Sequence, residues 1–329
     1  MAIAEITIGL YHKMKFKAAI LTEIKKPLEI VDLEVPKLKS GQVLVKIFYS
    51  SVCGSQLNEI NGLKGEDKFV PHTLGHEGYG EVVDVGGWVS KVRNGDRVVV
   101  SWIKGNGLEC EPILYGGINS GKACTLSEYS VVSENRIVPV ALNNKLEEYA
   151  PLLGCCIPTG AGVIKNQIED ISESRVLVLG LGGVGTAACI WSSKAAKKTY
   201  GHDICADRKN VLSILGLQEY NNSEVDYVID VTGNISAFKF GWEKLTKGTF
   251  IMVGNPPKDA TIEIDPFDLI KGNVLMGSAG GDTDPDRDIP LYSKHLQDFS
   301  IIVGNQYKLE DINIALSNWG SERKPIIRM

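Results

Sequence analysis

Residues 175–185 read RVLVLGLGGVG, and the organisation of the whole chain turns on that stretch. RVLVL is a nearly continuous apolar run, the pattern of a strand buried on both faces. The six residues from Gly180 to Gly185 then carry the spacing of a dinucleotide fingerprint. Gly180 allows the tight turn, Gly182 lets the backbone approach a pyrophosphate, and Gly185 lets the following helix pack closely on the strand. A Gly-rich turn alone is common. Here it follows a buried strand and opens a helix predicted over 184–197, which is the context the motif requires. Asp203 stands at the end of the next strand-like run, 200–204, about 20 residues on, where a carboxylate accepts hydrogen bonds from ribose hydroxyls and repels a 2′-phosphate. The pair of signals favours NAD over NADP.

Downstream the alternation continues: helix 207–215, strand 225–231, helix 235–245, strand 249–253. Strands alternating with helices predict a parallel sheet with covered faces, a doubly wound α/β unit. One interval is short. Only nine residues separate Leu215 from Val225, whereas a parallel crossover needs ~10–12 residues or more, so the sheet must be trimmed or rearranged near 219–223. Upstream, the first ~140 residues read as β-structure cut by Gly-containing turns, with runs at 43–49, 80–85, 97–102 and 129–132. A first strand opens at Met14, and a helix (309–318) and strand (325–328) close the sequence. The domains expected are therefore 1–156, with 283–329 returning to it, and an inserted unit at 157–282.

Composition limits the function classes. Thirty-five Lys and Arg against forty Asp and Glu leave a formal charge of −5, without the basic footprint that nucleic acid requires. The hydrophobic share of 43% is that of a globular protein. No apolar run approaches the ~18 residues of a membrane span. Residues 1–13 are read as an extension or an alternative start: Glu5 interrupts their apolar stretch, and no basic segment or cleavage site marks a signal peptide, which predicts a cytoplasmic protein. Seven Cys, an odd number in a chain too long to need disulfide staples, point to thiols used individually.

Three further segments hold metal-type side chains: Cys53-Gly-Ser55, Gly75-His76-Glu77-Gly78, and Leu153-Gly-Cys155-Cys156-Ile-Pro-Thr159-Gly160. Zinc takes thiolate and imidazole ligands, and a catalytic site uses three with a fourth position open. Each segment alone is ordinary, since a lone Cys is usually a small buried hydrophobe.

Taken with the block VGGWVSKVRNGDRV (85–98), the Thr159-Gly-Ala-Gly162 turn, GLGGVG and the closing LEDIN (309–313), these segments make the chain resemble the zinc-dependent alcohol dehydrogenases of the medium-chain dehydrogenase/reductase superfamily, from Met14 to Met329. The resemblance implies a GroES-like catalytic domain with an inserted Rossmann cofactor domain. It implies that Cys53, His76 and Cys155 bind one catalytic zinc, with Cys156 the alternative third thiolate. Glu77 would stand beside the ligand His as a support or transient contact. Ser55 would pass on the substrate proton, Thr159 and Val184 would line the nicotinamide pocket, and Gly180, Gly182, Gly183 and Gly185 would cradle the pyrophosphate. Asp203 would hold the adenosine ribose, with Arg208 nearby, and Arg323 or Lys324, Arg323 preferred, would reach the phosphates. The implied reaction moves a hydride between NAD(H) and an alcohol or carbonyl compound, with a polyol or sugar derivative suggested by the acidic run 280–288. The implied assembly is a homodimer or homotetramer, pairing through the sheet edge near 273–277. Alternatives on the same scaffold are a zinc-free NADPH quinone or enone reductase and a non-catalytic nucleotide binder.

Three departures from the family pattern stand out. The lobe over 101–124 holds only Cys110 and Cys124, too few for a closed four-Cys structural zinc. Gln56 replaces the usual Asp beside the zinc-ligand His, and Asn58 stands at the place of a relay His. The third is the short 215–225 interval.

Overall fold

The computed structural model describes residues 11–329. The reading of 1–13 as an extension therefore lies, up to residue 10, outside the described residues. In chain order the elements are β1 (Lys15–Leu21), β2 (Glu29–Glu34), β3 (Gln42–Ser51), α1 (Gly54–Ile60), β4 (His72–Thr73), β5 (Glu77–Val85), β6 (Arg97–Ser101), β7 (Leu114–Tyr115), β8 (Ile118–Asn119), β9 (Tyr129–Ser133) and β10 (Ile137–Pro139). A 3₁₀ run, Asn144–Gly154, leads to α2 (Cys156–Gln167), β11 (Arg175–Leu179), α3 (Gly183–Ala195), β12 (Lys198–His202), α4 (Ala206–Ile214), β13 (Gln218–Glu219), β14 (Tyr227–Asp230), α5 (Ile235–Trp242), β15 (Thr249–Met252), α6 (Pro266–Ile270) and β16 (Val274–Gly277). The chain closes with α7 (Pro285–Ser293), β17 (Val303–Lys308), α8 (Ile312–Ser317) and β18 (Lys324–Arg328).

These elements form two compact units. Residues up to Cys155 together with 284–329 make the first, and 156–283 the second. The first unit is built on two sheets, one ordered β2-β1-β4-β8-β7 and one ordered β10-β6-β5-β3-β18-β17 with β9 also on β3. Alternation decides which residues face the interior: Val43, Val45 and Ile47 of β3 pack with Val82, Val98, Val100, Val132 and Ile137. The returning segment is integral to this unit. Its Leu309, Ile312, Ala315 and Ile327 share a core with Leu21, Leu28, Val52 and Leu126.

The second unit is a six-stranded, wholly parallel sheet ordered β13-β12-β11-β14-β15-β16. This is the dinucleotide-fold order, with the first strand at the centre and the topological switch between β11 and β14. The α/β expectation, β-rich domain plus parallel-sheet insertion, therefore holds. The short interval trims this sheet without reordering it. β13 shrinks to two residues paired with Tyr200 and Gly201, and no helix lies between β13 and β14. In place of a crossover helix, Tyr220 packs on the sheet beside Phe240, their rings 6.2 Å apart, and Phe240 stacks on His202 at 4.7 Å.

Two details differ from the sequence reading. The second strand ends at His202, so Asp203 lies just past it and Ile204, taken for strand, is 94% exposed. The α2 helix was not anticipated because Gly160 and Gly162 depress helix propensity. Close packing explains them: a Cβ on Gly160 would fall 2.1 Å from the Val184 carbonyl oxygen of α3. Among the described residues no helix is long and apolar enough to cross a membrane.

Candidate functional site

Cys53, His76, Glu77 and Cys155 come together in the first unit, one ligand atom from each lying within 4.8 Å of the others. Cys53 sits at the N-cap of α1, where Gln56 Oε1 accepts its backbone N–H at 2.8 Å. His76 and Glu77 stand where the chain enters β5. Cys155 follows the 3₁₀ run, and Gly154 is what lets it approach. A Cβ on Gly154 would stand 2.3 Å from the Val100 carbonyl oxygen and 2.8 Å from Glu77 Cα. The Ser101 hydroxyl fixes this contact by donating to the Gly154 carbonyl at 2.7 Å. Cys155 rather than its neighbour Cys156 therefore joins the cluster.

The electrostatics are those of a site built for a cation. A hydrogen bond from the Cys155 thiol holds the Cys53 thiol well below its ordinary pKa, helped by His76 and Lys324 and opposed by burial. The same hydrogen bond, with burial, pushes Cys155 upward. Burial disfavours the His76 cation, but the hydrogen bond and charge of Cys53 outweigh it and raise its pKa. Glu77 is raised by burial, with Lys324 opposing. The donor set of two sulfurs, an imidazole and a carboxylate is one that zinc prefers, and protons occupy these ligands only where a metal is absent.

Lys324 is the residue the sequence reading undervalued. Its Nζ lies 2.6 Å from Glu77 Oε1 and donates to the Val52 carbonyl at 2.6 Å, with a side chain only 4% exposed. Arg323, preferred at this place, is exposed. The only available signal was position: Lys324 directly precedes the apolar run predicted as the terminal strand, and in the structure it opens β18. Gln56, which replaces the usual Asp, is turned to the backbone at Cys53. Its carbonyl is used by Cys53, and its Nε2 is buried without a partner. Ser55 is half-buried on the first turn of α1.

In the second unit the glycine turn fits a dinucleotide. Gly180 adopts φ +89°, a conformation that L side chains avoid. A Cβ on Gly185 would collide with the Gly180 carbonyl oxygen at 1.8 Å, whereas one on Gly182 meets nothing within 4 Å and would project into open space. That opening is a place for a phosphate at the start of α3, whose first turn offers unpaired N–H groups. Asp203, 5% exposed, braces the turn: Oδ2 accepts the Leu181 N–H at 2.7 Å and Oδ1 the Cys205 N–H at 2.8 Å. Arg208 reaches to 3.9 Å of it. Thr159, on α2, is buried and its hydroxyl has no partner.

The lobe over 101–124 is fastened by carboxylates. Buried Glu134 accepts three backbone N–H groups, from Ser90 at 2.6 Å, Lys91 at 2.8 Å and Leu108 at 2.7 Å. Glu109 pairs with Lys104 at 2.6 Å and Lys122 at 2.5 Å. Asp286, from the returning segment, pairs with Lys91 at 2.5 Å and accepts the Asn106 N–H. The acidic run at 280–288 is thus largely engaged, with Asp284 capping α7 and Asp288 paired with Arg287 at 2.8 Å.

Comparison with known proteins agrees with this geometry. Residues 39–142 match the alcohol dehydrogenase GroES-like domain family. The chain is 30% identical over 370 aligned positions to a class-3 alcohol dehydrogenase of Drosophila melanogaster, covering 95% of this chain and 97% of the relative. It is 27% identical to an S-(hydroxymethyl)glutathione dehydrogenase of Escherichia coli, covering 96% and 100%. Among solved structures it is similar to benzyl alcohol dehydrogenase from Acinetobacter calcoaceticus, with TM-score 0.85, 25% identity and 96% and 99% coverage. It shares its fold with an alcohol dehydrogenase zinc-binding domain protein from Burkholderia ambifaria, with TM-score 0.86, 24% identity and 96% and 99% coverage. The chain belongs to the zinc-dependent alcohol dehydrogenases of the medium-chain dehydrogenase/reductase superfamily, oxidoreductases that act on CH–OH groups.

Proposed function

We propose that this protein is an NAD-dependent dehydrogenase that interconverts an alcohol and its carbonyl compound at one zinc held by Cys53, His76 and Cys155. The observation that carries the reading is the convergence of those three side chains with Glu77 inside one compact unit. When bound, zinc lowers the pKa of a substrate hydroxyl and the nicotinamide takes up the hydride. The chain's own residues do the rest. Cys53 and Cys155 bind as thiolates and His76 as neutral imidazole. Glu77, tied to Lys324, sets the charge behind them. Ser55 accepts the substrate proton and passes it to water, since Asn58 cannot relay it as an imidazole would. Gly180, Gly182, Gly183 and Gly185 receive the pyrophosphate, with Arg323 in reserve for the phosphates. Asp203 and Arg208 hold the adenosine ribose, and Thr159 and Val184 face the nicotinamide.

In this reading residues 1–156 with 283–329 form the catalytic domain and 157–282 the NAD domain. The protein works in the cytoplasm as a homodimer or a homotetramer, and polyols and sugar derivatives are the first substrates to try. The test is metal analysis of the purified protein with NAD reduction measured over a panel of simple alcohols, polyols and sugar alcohols. Zinc content near one per proposed site and Cys53→Ala loss of turnover by at least ~10³-fold are expected. Unchanged turnover in Cys53→Ala would overturn the zinc reading; nucleotide binding without turnover on any panel member would point to a non-catalytic nucleotide binder.

A further inference from the structure

A second group of metal-type side chains converges in the first unit. Glu59 on α1, Asp67 in the loop after it and His72 on β4 each bring one ligand atom within 4.8 Å of the others. Their side chains are 28%, 12% and 8% exposed, so the cluster is largely shielded from solvent rather than spread on an open acidic surface. Each also has its other polar end already engaged. Asp67 Oδ1 accepts the Phe69 N–H at 2.9 Å, Glu59 Oε2 pairs with Lys64 Nζ at 3.0 Å, and His72 Nδ1 lies 2.9 Å from the Thr73 carbonyl oxygen.

The last contact fixes the chemistry of the imidazole. A carbonyl oxygen can only accept, so Nδ1 carries the hydrogen and Nε2 faces the carboxylates. Asp67 Oδ2 stands 2.8 Å and Glu59 Oε1 3.6 Å from that nitrogen. Ligand atoms at ~2.0–2.1 Å around a tetrahedral zinc are ~3.3 Å from one another, and the two separations bracket that edge. A ring nitrogen facing two carboxylates calls for a positive charge among them, either a proton on that nitrogen or a metal ion in its place. Ligands oriented by hydrogen bonds at their far ends, a His tied to a carbonyl above all, are the usual support of a metal site.

We infer that Glu59, Asp67 and His72 hold a second divalent cation of the zinc type, with water completing its coordination. The ion fastens the 61–71 loop between α1, which carries Cys53 at its N-cap, and β4, which leads into His76. Two ligands of the catalytic cluster thus sit at the ends of one clamped segment, where that ion keeps them in register. The inference does not depend on the proposed reaction.

The experiment uses the purified full chain, dialysed against zinc, desalted and analysed for metal, with a parallel sample stripped and refilled with cobalt. Cobalt on thiolates gives intense charge-transfer absorption, and on carboxylate and imidazole only weak ligand-field bands. The wild type should hold about two equivalents, and His72→Gln and Asp67→Asn about one, with the thiolate band intact and the zinc-dependent rise in Tm reduced. Cys53→Ala should remove the thiolate band and keep the other equivalent. Equal metal content and equal zinc-dependent Tm rise in wild type, His72→Gln and Asp67→Asn would overturn the inference and leave an imidazolium–carboxylate ion pair. If His72→Gln does not fold, Glu59→Gln, at the most exposed ligand, gives the same readouts. Failure of the proposed reaction's zinc site appears separately, as absence of the thiolate band in the wild type while the equivalent sensitive to position 72 remains.

Discussion

Lys324 and Glu77 illustrate how much a single buried pair decides. Each is nearly inaccessible to solvent and each is the other's counter-charge. Breaking a buried pair by removing one partner costs about 3–5 kcal/mol, whereas replacing both with apolar groups of similar size is often neutral. Lys324→Met should therefore destabilise the protein by about that amount in urea titration, and Lys324→Met with Glu77→Leu should recover most of it. No recovery in the double variant would show that the Val52 carbonyl contact, not the charge pair, is what matters. The glycines give a matched contrast. Gly185→Ala should cost about 3 kcal/mol, because its Cβ has no room beside the Gly180 carbonyl. Gly182→Ala should leave Tm unchanged but raise the Kd for NAD about tenfold, ~1.4 kcal/mol, read by NADH fluorescence. A Tm drop in Gly182→Ala would contradict the open space seen at that position. The glycine fingerprint and Asp203 could be read from their spacing, whereas Cys53 and His76 stood out only through the resemblance to a family. Lys324 was not legible, because a buried lysine is identified by the long-range sheet partner that encloses it.

Among the elements, the carboxylate-held lobe sets the response to acid. Burial works against the Glu134 charge, but three donated N–H groups hold its pKa below the ordinary carboxylate value. A depressed folded pKa adds stability above the unfolded value that is lost as pH falls through the folded one. Thermal unfolding followed by fluorescence should show the wild type losing stability below about pH 4.5, with Glu134→Gln already weakened at neutral pH and flatter across that range. Glu109, held down to about 2 by hydrogen bonds from Lys104 and Lys122, keeps its charge through the same window. Parallel acid profiles for the two proteins would contradict this role. The elements read well from sequence where β-branched and apolar residues ran together between clear breaks, as at β3, β11 and β14. Two-residue strands such as β13, and a helix whose glycines serve packing as in α2, give no periodic signal. Tertiary context alone defines them.

At the scale of the whole molecule, the outer edge of the parallel sheet is the surface that asks for a partner. β16 is an edge strand, and Phe267, Ile270 and Val274 beside or on it are 58%, 76% and 48% exposed. An exposed apolar strand edge is a standing invitation to pair with another copy. Sedimentation should show a dimer or larger assembly for the wild type and a shift toward monomer for Ile270→Glu with Val274→Lys; an unchanged sedimentation coefficient would place the contact elsewhere. The interrupted layout of the first unit also bears on how the chain is made. The Lys324 contact with Val52 joins residues 272 positions apart, and β18 completes a sheet begun by β3. During synthesis the parallel-sheet unit can fold as soon as it emerges, while the sheet that carries Glu77 is completed only when β18 arrives. The ribosome thus imposes an order in which the nucleotide-binding half matures first and the metal-binding half is sealed by a strand from the far end of the chain.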